Sequence, residues 1–590
     1  MMPMRNLTSL RLCRGVLALL AGLQVWEVAF AAEQRPTSVG RPVLRVVYFI
    51  PTDREPIPDR VERLDRVLTE VQRFYREGME QNGYGPMTFE LDREPDGRLR
   101  LLEVRAKEPM RAYGRDASGK VCDEVKAALA KQSVDLDRET VIIFQLLLDW
   151  KDGRAIEIGP YVGGGDAHSG TAWVYDDARL DPRLLSSTAP GGYYHRPCSL
   201  GQFNTHYIGG VAHELGHALG LPHERERSEA QTRRGTSLMG AGNHTYGQEL
   251  RSEGRGTFLT AAAALPLSVH PLFTGQRLPR AELLCEVAEM DAETGPHRLL
   301  LAGRLANGSN VVGLVVYNDP RAFEADYDAS GWASRVDVDG RFRLMVEDLS
   351  PGLYDLRLRA IGSSGDTKYF HFSYEVDSAG RPLVEPLLEG PWIQRAHDAF
   401  RARDKQRMAT VAAAAKESRP DATVLHRKLA HYAKLASATS ARLLRDVPTD
   451  VKRLSLAEVE WESARTGWGP PLRNQVSPNG DASGLLEVGG KFFESGLYAH
   501  APARHIFRMD KGWKTLKTGY GLQDRHNGSV VFVIKGDGKE LFRSARINDH
   551  RLREQVVTLG GVTLLELIVE DAGDGANSDW GVWLEPQLER

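Results

Sequence analysis

The stretch HELGHALGLPHE, from His213 to Glu224, limits what this chain can fold into more than any other. On a helix, residues four apart share a face, so His213 and His217 point the same way and can bite one ion. Glu214 lies beside that face, within reach of a water held there without being a ligand itself. A third ligand cannot come from the next turn of the same straight helix in tetrahedral geometry, so the chain must turn away and return. Gly220 suits that turn because glycine tolerates positive φ at a helix end. His223 then comes back from beyond it. Three neutral imidazoles leave a fourth position open, which marks a catalytic rather than a closed structural site. The spacing therefore predicts one catalytic Zn2+ on His213, His217 and His223, with Glu214 as general base.

At 590 residues the chain exceeds one hydrophobic core and should form roughly three to four domains. Residues 41–275 alternate strands and amphipathic helices, as in RPVLRVVYFIP followed by Val61, Leu64, Leu68, Val71 and Phe74 at helical spacing. They predict a mixed α/β (α+β) domain that carries the histidine helix. Residues 281–385 are short strand-like runs between turn residues and predict a β-sandwich of Ig or FnIII type. An Ala-rich helical spacer follows at 391–446, and strands return over 453–590 with the hairpin VVFVIKGDGKELF.

Arg5, Arg11 and Arg14, then GVLALLAGLQVW and the small residues Ala29 and Ala31, read as a secretory signal peptide over 1–31. Export to an extracellular, periplasmic or cell-surface location is the expectation, with no transmembrane anchor in the mature chain. A net charge of -3 gives no footprint for nucleic acid. Cys122, Cys198 and Cys285 would remain after cleavage and allow at most one intramolecular disulfide, with Cys122 and Cys198 as the pair inside one domain. The glycine-rich YVGGGDAHSGTAW reads as an edge strand able to pair with an extended peptide. Within it, Asp166 and His168 are candidates for a second, structural metal, against the plainer reading of a solvated loop.

HELGHALGLPH matches the metzincin pattern H-E-x-x-H-x-x-G-x-x-H at all five signature positions, so the first domain resembles a metzincin zinc protease. The resemblance implies a two-lobed fold with zinc in the cleft between lobes. It also implies a Met-turn beneath the metal, for which Met239 in GTSLMGAG is the candidate. Astacins have a tyrosine two residues after that methionine; here the position is Ala241, and Tyr246 is the nearest candidate oxyanion stabiliser. Glu224 follows the third histidine as in astacins, but no metzincin subfamily is matched beyond that.

The last segment resembles the NPCBM family of carbohydrate-binding modules, through GLYAHAP, GSVVFVIKGDGK and DGANSDWGVWL in the family's order. The resemblance implies a galactose-binding-like β jelly roll. Tyr498, His500, Asp579 and Trp580 are the sugar-binding candidates, because glycans are held by stacking on aromatics with polar groups at the hydroxyls. Core packing for Trp580 and turn-making for Asp579 are the competing readings.

Together these readings predict a secreted zinc endopeptidase held on a glycan or glycoprotein surface by its C-terminal module. Two alternatives stay open: a glycan-binding or adhesion protein with a non-proteolytic zinc domain, and an amidase acting on peptidoglycan.

Overall fold

The computed structural model describes residues 41–590 except 131, 133, 195, 322–325 and 438–440. The segment read as a signal peptide lies outside the described residues.

In the first domain, strand β1 (Arg45–Ile50) runs into helix α1 (Arg60–Gln81), then β2 (Leu101–Arg105), α2 (Ser118–Leu129) and β3 (Thr140–Gln145). Next come β4 (Val162–Gly165), β5 (Gly170–Tyr175) and α3 (Leu200–Ala218), and later the short α4 (Ala261–Leu267). The sheet order is β2-β1-β3-β5-β4. The first four strands are parallel and β4 runs antiparallel to β5 at the edge. Strands β1, β3 and β5 are almost wholly buried apolar runs, as a parallel sheet covered on both faces requires. The run MTFELD, which alternates like a strand, makes a single isolated bridge, from Leu91 to Leu44. Cys122 and Cys198 are both half-buried against this core.

The second domain is a sandwich of two antiparallel sheets. Its strands are β6 (Glu286–Gly295), β7 (Arg298–Ala306), β8 (Val311–Pro320), β9 (Ser330–Arg335), β10 (Arg341–Val346), β11 (Gly352–Gly362), β12 (Thr367–Val376) and β13 (Pro382–Leu383). The sheets are β6-β7-β10 and β9-β8-β11-β12-β13. Alternating burial along β12 turns Phe370, Phe372, Tyr374 and Val376 inward, the period of two that packs one face of a strand. The sandwich is not an independent bead. Ala262 and Leu265 of α4 form one buried cluster with Val315, Tyr317, Ala329 and Ile361 of the sandwich.

Helices α5 (Glu385–Arg401), α6 (Lys405–Ser418) and α7 (Thr423–Leu435) follow. Read from sequence as a spacer, they instead share a core with the next domain, where Leu485 joins Ala399, Met408, Leu425 and Tyr432. Lys428 pairs with Glu389 on its own side and with Glu487 across the boundary. The C-terminal domain packs two antiparallel sheets around Phe507, Trp513, Phe532, Leu567 and Trp583. No helix among the described residues is long and apolar enough to cross a membrane.

Candidate metal centre and active site

Helix α3 carries the first two histidines and starts from a capping box. Ser199 Oγ accepts from Gln202 N, and Gln202 Oε1 accepts from Ser199 N. The helix is buried along nearly its whole length, which only close neighbours on every side can achieve. Gly216 lets one of them in: a Cβ there would lie 2.5 Å from Met239 Sδ. Helix α3 ends at Ala218, and just past its cap Gly220, with a φ of +82°, reverses the chain and returns His223.

The three imidazoles converge. His217 Nε2 lies 3.1 Å from His213 Nε2 and 2.9 Å from His223 Nε2. His213, His217 and His223 are the one group of three or more metal-ligating side chains that gathers its ligand atoms among the described residues. His213 Nδ1 donates to Leu238 O at 2.7 Å, and His217 Nδ1 donates to Leu221 O at 2.8 Å. A carbonyl only accepts, so both Nδ1 atoms carry hydrogen and both Nε2 atoms present lone pairs. Burial, aided by the neighbouring histidines, pushes all three pKa values down to about 3, so the rings are neutral. Two lone pairs facing each other at 3.1 Å repel unless a cation lies between them. Tetrahedral zinc with Zn–N of about 2.0–2.1 Å spaces its ligands about 3.3 Å apart, within a few tenths of what is seen. The residues present fit the ion.

Glu214 is buried beside this triad, and burial pushes its carboxyl up to about 8, opposed by a hydrogen bond from the Gly163 amide. Gly163 belongs to β4, which lies directly on α3; a Cβ at Gly163 would sit 2.0 Å from Glu214 O. The outer edge of β4 pairs with no strand among the described residues. Met239 is fully buried under the helix, and its carbonyl accepts from Glu224 N at 3.2 Å. Glu224 is itself buried and bonds Thr260 Oγ1, so it ties the chain after His223 to α4.

Other candidates sit elsewhere. Tyr246 is only 3 % exposed and its hydroxyl donates to Glu70 Oε1 at 2.9 Å, so it faces α1 and cannot meet an oxyanion. Asp166 accepts from the amides of His168 and Ser169 and pairs with Arg280. His168 Nε2 instead lies 2.9 Å from Asp366 Oδ1 on the sandwich. These two residues latch domains together rather than gather an ion. In the C-terminal domain Tyr498, His500, Asp579 and Trp580 are all buried, the last two at 1 % and 5 % exposure. Tyr498 donates its hydroxyl to Trp468 O, and Asp579 Oδ1 accepts from Ser529 N. They are scaffold, and no sugar can stack on them directly.

Sequence reasoning missed two aromatics. Trp468 is 41 % exposed and rests on Trp580, 5.2 Å between centroids, with His500 behind. Its place in TGWGPP, a turn-forming run, was the available signal for an exposed loop aromatic. Tyr327, in the 3-10 turn Asp326–Asp328, stacks on His223 at 3.7 Å and 26°. Nothing in its local sequence marks it.

The family described as NPCBM/NEW2 domain matches residues 452–589, so the C-terminal domain is an NPCBM domain. Among solved structures, catalytically inactive OgpA from Akkermansia muciniphila, in complex with an O-glycopeptide substrate, is similar at 25% identity and TM-score 0.50. The match covers 58% of this chain and 95% of that one, a share far larger than the NPCBM domain. Wild-type OgpA matches at 25% identity over 58% of this chain and 96% of that one, with TM-score 0.49. A CBM51 from Clostridium perfringens GH95, in complex with methyl-galactose, matches at 23% identity over 23% of this chain and 99% of that one, with TM-score 0.21. A search of curated proteins returns no match.

Proposed function

We propose that this chain is a secreted, zinc-dependent endopeptidase of metzincin type that cleaves glycosylated protein. The observation that carries the reading is the pair of lone-pair nitrogens, His213 Nε2 and His217 Nε2, held face to face with His223 beside them. The likeness to OgpA, whose complex holds an O-glycopeptide, supports a glycopeptide rather than a bare peptide as substrate.

His213, His217 and His223 would hold zinc, which supplies Lewis acidity toward a peptide carbonyl and toward water. The protein's own residues supply the rest. An extended peptide lies along the open edge of β4 and adds a strand to the sheet. Glu214 takes a proton from the attacking water onto its carboxylate and passes it to the departing amine nitrogen. The Gly163 amide fixes the carboxylate's orientation while it does so. Burial raises the basicity of Glu214, so its ionised form is the stronger proton acceptor. The Leu238 carbonyl holds the His213 ring, and Met239 packs against the same helix at Gly216.

The NPCBM domain would keep the enzyme on glycan, with the exposed face of Trp468 as its stacking platform. The test is cleavage of an O-glycosylated peptide and its unglycosylated twin by purified protein, with and without chelator, beside metal analysis. Chelator-sensitive cleavage of the glycosylated peptide, with about one zinc per chain, is expected. Protein without zinc, or hydrolysis that survives chelation, removes the proposal.

A further inference from the structure

Two of the three imidazoles are held by the first domain. His213 and His217 each donate Nδ1–H to a backbone carbonyl, the second-shell bond that fixes a metal ligand's ring. His223 has no such bond among the described residues. Apart from the other two histidines, the ring stacked on it comes from the sandwich. The ring of Tyr327 lies on the His223 ring at 3.7 Å, inclined by 26°. The backbone just beyond His223 is held from the same side. Arg225 N donates to Ala329 O at 2.8 Å, and Arg225 bridges Ser330 at the start of β9 in parallel register. Glu224 fits against Gly331, where a Cβ would lie 1.9 Å from Glu224 Oε2. Behind this contact is the buried cluster that α4 shares with the sandwich, including Ala329 itself.

We infer that the β-sandwich is a working part of the metal centre, with Tyr327 as the positioning residue that orients the third ligand, His223. The inference rests on the zinc reading above. Its physical basis is division of labour. A ring on a returning loop has two free torsions, and a ligand that wanders weakens the whole set. Stacking and the Arg225–Ala329 bond remove that freedom, where a carbonyl does so for the other two. The ring face opposite His223 leaves Tyr327 43 % exposed, so deleting it disturbs no core.

The test uses the full chain and the variants Tyr327→Ala and Tyr327→Phe, with His217→Ala as a metal-free control. Zinc affinity is read by competition with a chromophoric chelator, and ligand geometry by the visible absorption of the cobalt(II)-substituted protein. Tyr327→Ala is expected to bind zinc roughly tenfold more weakly, the scale of second-shell losses, and to shift the cobalt bands. Tyr327→Phe keeps the ring and is expected to restore both. Wild-type affinity and an unchanged cobalt spectrum in Tyr327→Ala would overturn the inference while leaving the zinc site standing. A wild-type chain that binds no zinc, like His217→Ala, would overturn the site and the inference together.

Discussion

Glu214 and Gly216 are neighbours in one helix turn with opposite kinds of duty. Glu214→Gln keeps the shape and removes the proposed base. Zinc content is expected to stay at the wild-type level while kcat falls by about 10²–10⁴; metal analysis and steady-state rates on one preparation check this. Gly216→Ala leaves the chemistry alone and drives a methyl against Met239 Sδ, 2.5 Å away. Overpacking of that kind costs about 1–3 kcal/mol, read as a lower denaturation midpoint. At this scale the sequence was legible where function needs residues close along the chain. His213, Glu214, His217, Gly220 and His223 share one short segment: helical geometry places the first three and the Gly220 turn returns His223. It was opaque where partners come from afar. Tyr327 reaches His223 through a domain contact, and Tyr246 turns toward Glu70 because α1 packs there. Whether Tyr498 and Trp580 face solvent is set by Trp468 lying over them, which no local pattern reports.

Among the elements, α3 depends on how it starts. Its first two amides donate to Ala189 O and Ser187 O, and the third, Gln202 N, would be orphaned without Ser199 Oγ. Ser199→Ala is expected to lower stability by about 1 kcal/mol in urea unfolding, and Ser199→Asp to recover most of it. Helix periodicity in α1 and α3 and the buried runs of β1 and β3 were readable because the 3.6 and 2.0 periods are local properties. The order β2-β1-β3-β5-β4 was not, since strand pairing joins segments that sequence spacing does not relate. MTFELD shows the limit: it alternates like a strand, yet only Leu91 pairs, with Leu44 just before β1.

For the whole molecule, the three helices before the NPCBM domain are fused to it by Leu485 and by Lys428 between Glu389 and Glu487. An apolar core shared across a boundary looks, in sequence, like an Ala-rich spacer. His505 lies within the C-terminal domain, 0 % exposed, edge-on to Trp461, over whose ring the Arg473 guanidinium sits. Burial, with the Arg473 charge, lowers its pKa to about 4. The unfolded chain therefore takes up this proton first as pH falls. The contribution of neutral His505 is complete above about pH 6.5 and is lost on the way down to pH 4, on the order of 3 kcal/mol. Thermal melts across that window should fall for wild type and fall less steeply for His505→Leu, followed by tryptophan fluorescence. One last feature bears on selectivity. Gly163, Gly164 and Gly165 make up most of β4, so the edge on which the proposed peptide would lie presents peptide groups and few side chains. A wall without side chains is indifferent to what it carries. On that proposal, discrimination between one guest and another falls to the opposite bank.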